Sequence, residues 1–329
     1  MKRALITGGA GFIGYHLALQ LINKSYKVDL IDNFSRGVRD RDLEKLLNHQ
    51  YINFVDLNLL DSDAINNIEN CYDYIFHFAA LVGVSHVSSA PYQVLVNNFK
   101  LLDNVIASAK KQKKLSKFIF TSTSEVYSGT LKYFGLEYPT NESTPLCSSD
   151  LNVPRTSYML SKIYGEAMCL QSGLPVTIVR PHNFYGPRMG MSHVIPELMK
   201  KTRNANNGII DVYSADHTRT FCFIEDGVKM IMLVAESDKT TGNTYNIGNE
   251  NEEISMEDLA YKIAHVLGRK LRVNPLPETP GSPKRRSPDM SKFYQITKFE
   301  NNYSLDSGLI KTYEWYNNNV FTGNEVSAI

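Results

Sequence analysis

Tyr158 and Lys162 stand four residues apart in Tyr-Met-Leu-Ser-Lys, where a long helix is expected to begin. At that spacing two side chains rise from one helical face. An ammonium fixed beside a phenol favours the phenolate, and a phenolate near neutral pH is a proton-transfer base. Bringing a phenol down by about three pKa units requires roughly 4 kcal/mol of preferential stabilisation. Tyr294 and Lys298 show the same spacing. The pair acquires meaning only from the elements that position it.

Those elements alternate. Ala4–Thr7, Lys27–Ile31, Asn53–Val55, Tyr74–Phe78, Phe118–Thr121 and Val176–Arg180 read as strands. Ile13–Lys24, Asp61–Ile68, Val94–Lys111 and Ser157–Ser172 read as helices between them. Such alternation predicts a doubly wound parallel sheet, an α/β fold. After Arg180, Pro and Gly become frequent and strands shorten, and Ser255–Leu267 and Leu309–Asn317 are the clearest late helices. The expected division is a dinucleotide-binding domain over 1–181 and a smaller α/β substrate domain over 182–329. Thr244–Ile247 is expected to return to the main sheet, and Leu276–Pro288 to form an ordered loop.

A strand at residues 4–7 runs into Gly8, Gly9, Gly11 and Gly14 and then a helix. Glycines permit a tight turn and close approach of a pyrophosphate, and the helix N-terminus presents free N–H groups to it. Asp32 follows 18 residues after Gly14. A carboxylate there accepts hydrogen bonds from the adenosine ribose and repels a 2′-phosphate, which selects NAD over NADP. Arg36 and Arg39 lie near enough to keep NADP as an alternative. Asp56 and Leu57 follow the third strand, either bordering the adenine or simply forming a turn.

The net charge of +1 gives no reason to expect a nucleic-acid partner. Cys71, Cys147, Cys169 and Cys222 show neither Cys-x-x-Cys nor metal-ligand spacing with the eight histidines. No bound metal is expected, and reduced thiols point to a cytoplasmic protein. No signal peptide or membrane span is read.

The ordered set of motifs resembles the extended short-chain dehydrogenase/reductase family, in its group of nucleotide-sugar epimerases, dehydratases and decarboxylases. It comprises Thr-Gly-Gly-Ala-Gly-Phe-Ile-Gly at 7–14, Asp32-Asn33, His77-Phe-Ala-Ala80 and Asn98. Thr121-Ser-Thr-Ser-Glu-Val-Tyr127, Tyr158-x-x-x-Lys162, Arg180-Pro-His-Asn-Phe-Tyr-Gly-Pro187, Arg219, Asp226 and Arg286-Ser-Pro-Asp289 complete it. The resemblance implies that NAD is held by Gly8, Gly11, Phe12, Ile13, Gly14, Asp32, Asn33, Asp56, Leu57, Phe78, Ala79, Ala80, Asn98 and Pro181, together with Tyr158 and Lys162. It implies that Tyr158 is the base at a sugar C4 hydroxyl, with its pKa lowered by Lys162 and the nicotinamide charge, and that Thr123 bonds the C4 oxygen.

Glu125 and Ser124 bear on the product. By resemblance, a carboxylate at Glu125 is a feature of 4,6-dehydratases and uronate decarboxylases, whereas simple C4 epimerases usually lack it. Ser124 stands where the deoxythymidine-linked glucose dehydratases usually carry an aspartic acid. The expectation is an enzyme that oxidises C4 and continues at C5 and C6, in the manner of a 4,6-dehydratase. Decarboxylation of a UDP-glucuronate-type substrate, C4 epimerisation, net 4-dehydrogenation and a non-catalytic NAD sensor are the alternatives. Asn183, Arg219 and Arg286 are expected on the nucleotide-sugar diphosphate, and His182 and His193 as structural residues. Tyr15, Ser128, the segment Ser214–Arg219 and the long loop Leu131–Asp150 depart from the family pattern at the pocket's edges. A homodimer through a four-helix bundle of Val94–Lys111 and Ser157–Ser172 is also implied.

Overall fold

The computed structural model describes residues 1–66, 68–279 and 282–321. Parts of three expectations lie outside these: Asn67 in the 61–68 helix, Pro280 and Gly281 in the 276–288 loop, and 322–329 of the second domain. Six strands, β1 (Arg3–Thr7), β2 (Lys27–Asp32), β3 (Ile52–Asp56), β4 (Tyr74–His77), β5 (Lys117–Thr121) and β6 (Val176–Pro181), join Asn243–Ile247 in one parallel sheet. The spatial order is β3, β2, β1, β4, β5, β6, then Asn243–Ile247.

Strands covered on both faces must be apolar along their whole length. β4 and β5 are buried at every residue. β1 divides its side chains between two cores: Ala4 and Ile6 face one, Leu5 the other. The first core takes the helices Phe12–Asn23 and Ile224–Glu236; the second takes Pro91–Lys110. Thr156–Leu170 packs on Pro91–Lys110. The carboxyl ends of the strands bring Thr7, Asp32, His77, Thr121 and Arg180 to one edge, where ligands bind in such sheets.

Beyond β6 the strands are short. Phe184–Tyr185 pairs with Cys222–Phe223, and Ile209–Tyr213 with Arg272–Leu276. Thr218–Arg219 lies between Ile254–Ser255 and Arg285–Arg286. The helices Val194–Asn204 and Ile224–Glu236 went unread in the sequence. Ser255 and Ser304 cap the two late helices by accepting from Asp258 N–H and Ser307 N–H.

Arg188 ties this second part to the first. It is 1% exposed, and its Nε donates to Asp40 Oδ2 at 2.7 Å. Nη2 donates to Val38 O at 3.2 Å and Ala10 O at 3.4 Å, and the guanidinium lies 4.2 Å from the Tyr15 ring centroid. Tyr15, an unexpected bulk after the glycine motif, is thus the aromatic floor beneath that cation.

His16, His77 and His182 are buried. Burial lowers their pKa values to about 4, about 3 and about 3, against 6.5 when free. The unfolded chain therefore takes up protons first as the pH falls, and stability is lost in the window from about 6.5 down to those lowered values. Each histidine can contribute up to about 1.4 kcal/mol per pH unit. The melting temperature is expected to drop steadily from about pH 6.5 to about pH 4; a flat profile in that window would contradict the buried neutral state.

Candidate active site

The glycine loop is shaped for an anion. Gly8 has φ +73°, a left-handed conformation that suits glycine, and a Cβ there would lie 2.9 Å from Ala79 N. A Cβ at Gly14 would lie 2.3 Å from Gly8 O, so only glycine lets the helix sit against the loop. The helix starts after Gly11 with no side-chain cap and no acidic residue in its first turn. Its leading N–H groups and positive dipole end are left for a ligand. Asp32 Oδ2 accepts from Ala10 N–H at 3.0 Å and Oδ1 from Phe34 N–H at 2.9 Å. Burial raises its pKa, and those backbone bonds pull it back. A dinucleotide fits this arrangement: Gly8, Gly11 and Gly14 for the pyrophosphate, Asp32 for the ribose. Arg39 is engaged by Glu44, and Arg36 reaches instead toward Gly83. Neither arrangement forms a 2′-phosphate site.

Around this loop, Phe78 N–H donates to Thr7 O at 3.1 Å and Ala79 N–H to Thr7 Oγ1 at 3.3 Å. Asn98 acts as a peptide mimic. Its Oδ1 accepts from Leu81 N–H at 2.7 Å, and its Nδ2 donates to Leu81 O and Ser161 Oγ, both at 3.1 Å. It fixes the loop after β4 to two helices. Leu57 N–H donates to Asp32 O at 3.2 Å, which places Asp56 and Leu57 beside Asp32, and Asn33 adjoins them. Phe12 and Ile13 open the first helix, Ala80 follows β4, and Pro181 ends β6 opposite Ile247.

Tyr158, Lys162 and Glu166 recur every four residues on the helix Thr156–Leu170; Lys162 and Glu166 are buried and Tyr158 is half-buried. Lys162 is buried, and its Nζ donates to Thr121 O at 2.7 Å. Burial lowers its pKa to about 8. Thr123 follows β5; its Oγ1 accepts from Glu125 N–H at 3.2 Å, and it lies close enough to Tyr158 to lower the pKa of that phenol. The two hydroxyls can share one substrate oxygen.

The charge around Tyr158 differs from the sequence expectation. Burial, and then the Glu125 carboxylate, raise its pKa above that of a free phenol. Thr123 and the Arg36 charge oppose this. Lys162 directs its ammonium to a carbonyl, 5.9 Å from the centroid of the Tyr158 ring. The protein alone therefore holds Tyr158 as a neutral phenol.

Glu125 sits on the turn Ser124–Tyr127 immediately after Thr123. Arg155 meets it with two donors, Nη2 at 2.5 Å and Nε at 3.1 Å, and Arg286 Nη2 lies 3.5 Å away. Burial works to raise its pKa, but Arg286 and Arg155 outweigh it and hold the carboxylate ionised. Ser124 is buried beside it. Three charged groups, two positive and one negative, thus converge near Tyr158. The sequence reading missed Arg155, which lies one helical turn before Tyr158; that spacing was the available signal.

Arg219 spends its donors on the loop that carries Arg286: Nη1 on Thr218 O and Lys284 O, Nη2 on Ser282 Oγ and Pro283 O. Asn183 has φ +42°, and its Nδ2 donates to Thr220 O at 2.8 Å. In this arrangement both hold backbone. His182 Nε2 is bonded to Asn246 Oδ1 at 3.0 Å, and His193 is the N-cap residue of Val194–Asn204. Ser128 Oγ donates to Glu125 O at 2.7 Å, bracing the turn.

Comparisons with known proteins agree with this geometry. Residues 4–248 match the model of the NAD dependent epimerase/dehydratase family. The chain is 33% identical over 332 residues to a UDP-N-acetyl-alpha-D-glucosaminuronate decarboxylase of Bacillus cytotoxicus, covering 96% of this chain and 98% of the relative. A UDP-glucuronic acid 4-epimerase from Bacillus cereus, solved with UDP-glucuronic acid and NAD, superposes with TM-score 0.79 at 27% identity over 96% of this chain and 99% of its own. A dTDP-glucose 4,6-dehydratase from Streptomyces venezuelae, solved with NAD, gives TM-score 0.83 at 25% identity over 96% and 97%.

Replacing Tyr158 by Phe removes one hydroxyl and little volume. Turnover is expected to fall by at least about 100-fold, with NAD affinity in titration calorimetry within about twofold. Retained turnover would remove Tyr158 from the proton-transfer role.

Proposed function

The chain belongs to the NAD dependent epimerase/dehydratase family, and on that premise we propose that it decarboxylates a nucleotide-linked uronate after transient oxidation at C4. The observation that carries this reading is the convergence of Arg155 and Arg286 on Glu125 beside Tyr158. Two guanidinium groups against one carboxylate leave a net positive site, and a sugar carboxylate is the group that completes it.

Bound NAD supplies the hydride acceptor, and its positive ring supplies the charge that Tyr158 otherwise lacks. Tyr158 takes the proton of the C4 hydroxyl, and Thr123 holds the same oxygen. The resulting 4-keto uronate is a β-keto acid. Its C5–C6 bond breaks, carbon dioxide leaves neutral, and the electron pair moves to an enolate whose oxygen faces Thr123 and Tyr158. A proton from solvent at C5 restores the ketone; the hydride that the cofactor would hold would then go back to C4, and Tyr158 returns to the C4 oxygen the proton it took. Arg155 and Arg286 orient the departing carboxylate. Glu125 fixes both arginines, and its charge opposes the carboxylate that is lost.

The 4,6-dehydratase reading, placed first from the sequence, is weaker. It requires an acid to expel the C6 hydroxyl. Ser124 occupies that position by resemblance, and a serine hydroxyl is a poor acid; Glu125 is held ionised. Epimerisation of a nucleotide-linked uronate is the second reading, favoured by the likeness to the UDP-glucuronic acid 4-epimerase, because it needs the same carboxylate clamp without loss of carbon. The segment 182–329 is proposed to bind mainly the nucleotide sugar, with Asn183, Arg219 and Arg286 on that side. The four free cysteines suit a cytoplasmic setting; among the described residues no helix is long and apolar enough to cross a membrane.

A homodimer through Pro91–Lys110 and Thr156–Leu170 is part of the proposal. Tyr92, Tyr164 and Leu170 on these helices are exposed by 69%, 54% and 45%. Sedimentation at micromolar concentration is expected to give a dimer that Tyr164→Glu dissociates; a monomeric wild type would refute the pairing.

Incubation with nucleotide-linked uronates and neutral hexoses, followed by product mass, tests the reaction. Loss of carbon dioxide from the uronate alone is expected. Arg155→Met and Arg286→Met should each lower kcat/KM for the uronate at least about tenfold, and with Arg155→Met UDP binding should stay within about twofold. Loss of water from a neutral hexose would replace this reading with the dehydratase, and an isomer of unchanged mass with the epimerase.

A further inference from the structure

Arg36 has no place in the chemistry described so far. It lies four residues past Asp32, in the turn that follows β2. That turn is tight. A Cβ at Gly37 would lie 2.7 Å from Ala10 Cβ and 3.4 Å from Asp32 Oδ1, so the segment packs directly on the glycine loop. From there Arg36 extends to the loop after β4, where its Nη2 lies 3.7 Å from the Cβ position of Gly83. In the sheet, β1 stands between β2 and β4. A side chain that starts beyond β2 and ends beyond β4 must cross the carboxyl end of β1, where the glycine loop and the uncapped helix start are found.

Arg36 also reaches the neighbourhood of Tyr158 and His193, since its charge acts on both. It therefore spans the interval between Asp32 at one end and Tyr158 at the other. The other two arginines that meet this region are ion-paired: Arg39 with Glu44, Arg188 with Asp40. Among the described residues Arg36 has no hydrogen bond or ion pair. It is open to solvent at the cleft mouth, yet enclosed enough that burial lowers its pKa. A guanidinium without a partner near a helix N-terminus is weakly repelled by it, because both are positive. A doubly charged anion placed between them resolves both.

We propose that Arg36 is the lid of the cofactor site: its guanidinium closes over the dinucleotide pyrophosphate, so that the anion is held between the helix N-terminus below and Arg36 above. This rests on NAD as the cofactor. It also assigns the residue differently from an NADP reading, since the guanidinium points from the adenosine end toward Tyr158. A diphosphate clamp of this kind retains the cofactor through a cycle that oxidises and then reduces the same carbon.

Titration calorimetry with adenosine, ADP-ribose, NAD and UDP, on wild type, Arg36→Met and Arg36→Lys, tests it. Arg36→Met is expected to weaken NAD and ADP-ribose alike by at least about tenfold, and Arg36→Lys to recover part of that loss. Adenosine and UDP should stay within about twofold. Unchanged NAD affinity would overturn the proposal. So would an equal loss for adenosine, which marks a distorted loop, or a loss confined to UDP, which places Arg36 on the substrate's diphosphate. A wild type that binds neither adenosine, ADP-ribose nor NAD would refute the cofactor assignment itself, and the proposal with it.

Discussion

The buried pair of Arg180 and Glu166 fixes the site. Arg180 is the penultimate residue of β6, and Glu166 lies two helical turns beyond Tyr158. The contact is bidentate, Nε to Oε1 at 2.8 Å and Nη2 to Oε2 at 2.6 Å, with side chains 5% and 7% exposed. Arg180 Nη1 also donates to Tyr127 OH at 2.8 Å, and that hydroxyl donates to Asn246 Oδ1 at 2.9 Å. One guanidinium thereby joins the sheet, the Tyr158 helix and the turn that carries Thr123 and Glu125. Such a pair gives little net stability once desolvation is counted. Its value here is geometric: no apolar substitute would fix the rotation of the helix, and the rotation decides whether Tyr158 faces Thr123.

Given that scaffold, the electrostatics of the site follow from a division of labour. Lys162 is committed to a backbone carbonyl and Glu125 to two arginines. Neither supplies a net cation at the Tyr158 oxygen, and burial dominates there. The phenol stays protonated until more positive charge arrives. On the proposed reading the base is coupled to cofactor occupancy by charge alone, and the pair's spacing does not reveal this. Glu125, meanwhile, looks from its position like a proton carrier and from its partners like a fixed anion. The partners decide, because two guanidinium groups outweigh the cost of burying one carboxylate.

Local features were legible where one residue type answers one backbone need. The glycine loop requires positive φ at Gly8 and no Cβ at Gly14, and each of the first six strands is an apolar run bounded by turns. The late helices Met256–Val266 and Leu305–Tyr316 begin at serine caps. Ile224–Glu236, by contrast, was missed because it carries no side-chain cap and follows directly on a two-residue strand. Arg155 was missed because an arginine before a helix reads as a solvated charge until Glu125, thirty residues away, is folded against it.

The sequence by itself determined the parallel α/β fold, the dinucleotide loop and the presence of Tyr158, Lys162 and Thr123, since each depends on contacts along a few consecutive residues. Only the tertiary structure decided what those residues experience. The loads on Glu125, the commitment of Arg219 to the loop that carries Arg286 and the reach of Arg36 across β1 all join segments distant in the chain. Charge acts through space, and its sign at a given atom is the sum over neighbours that only folding brings together.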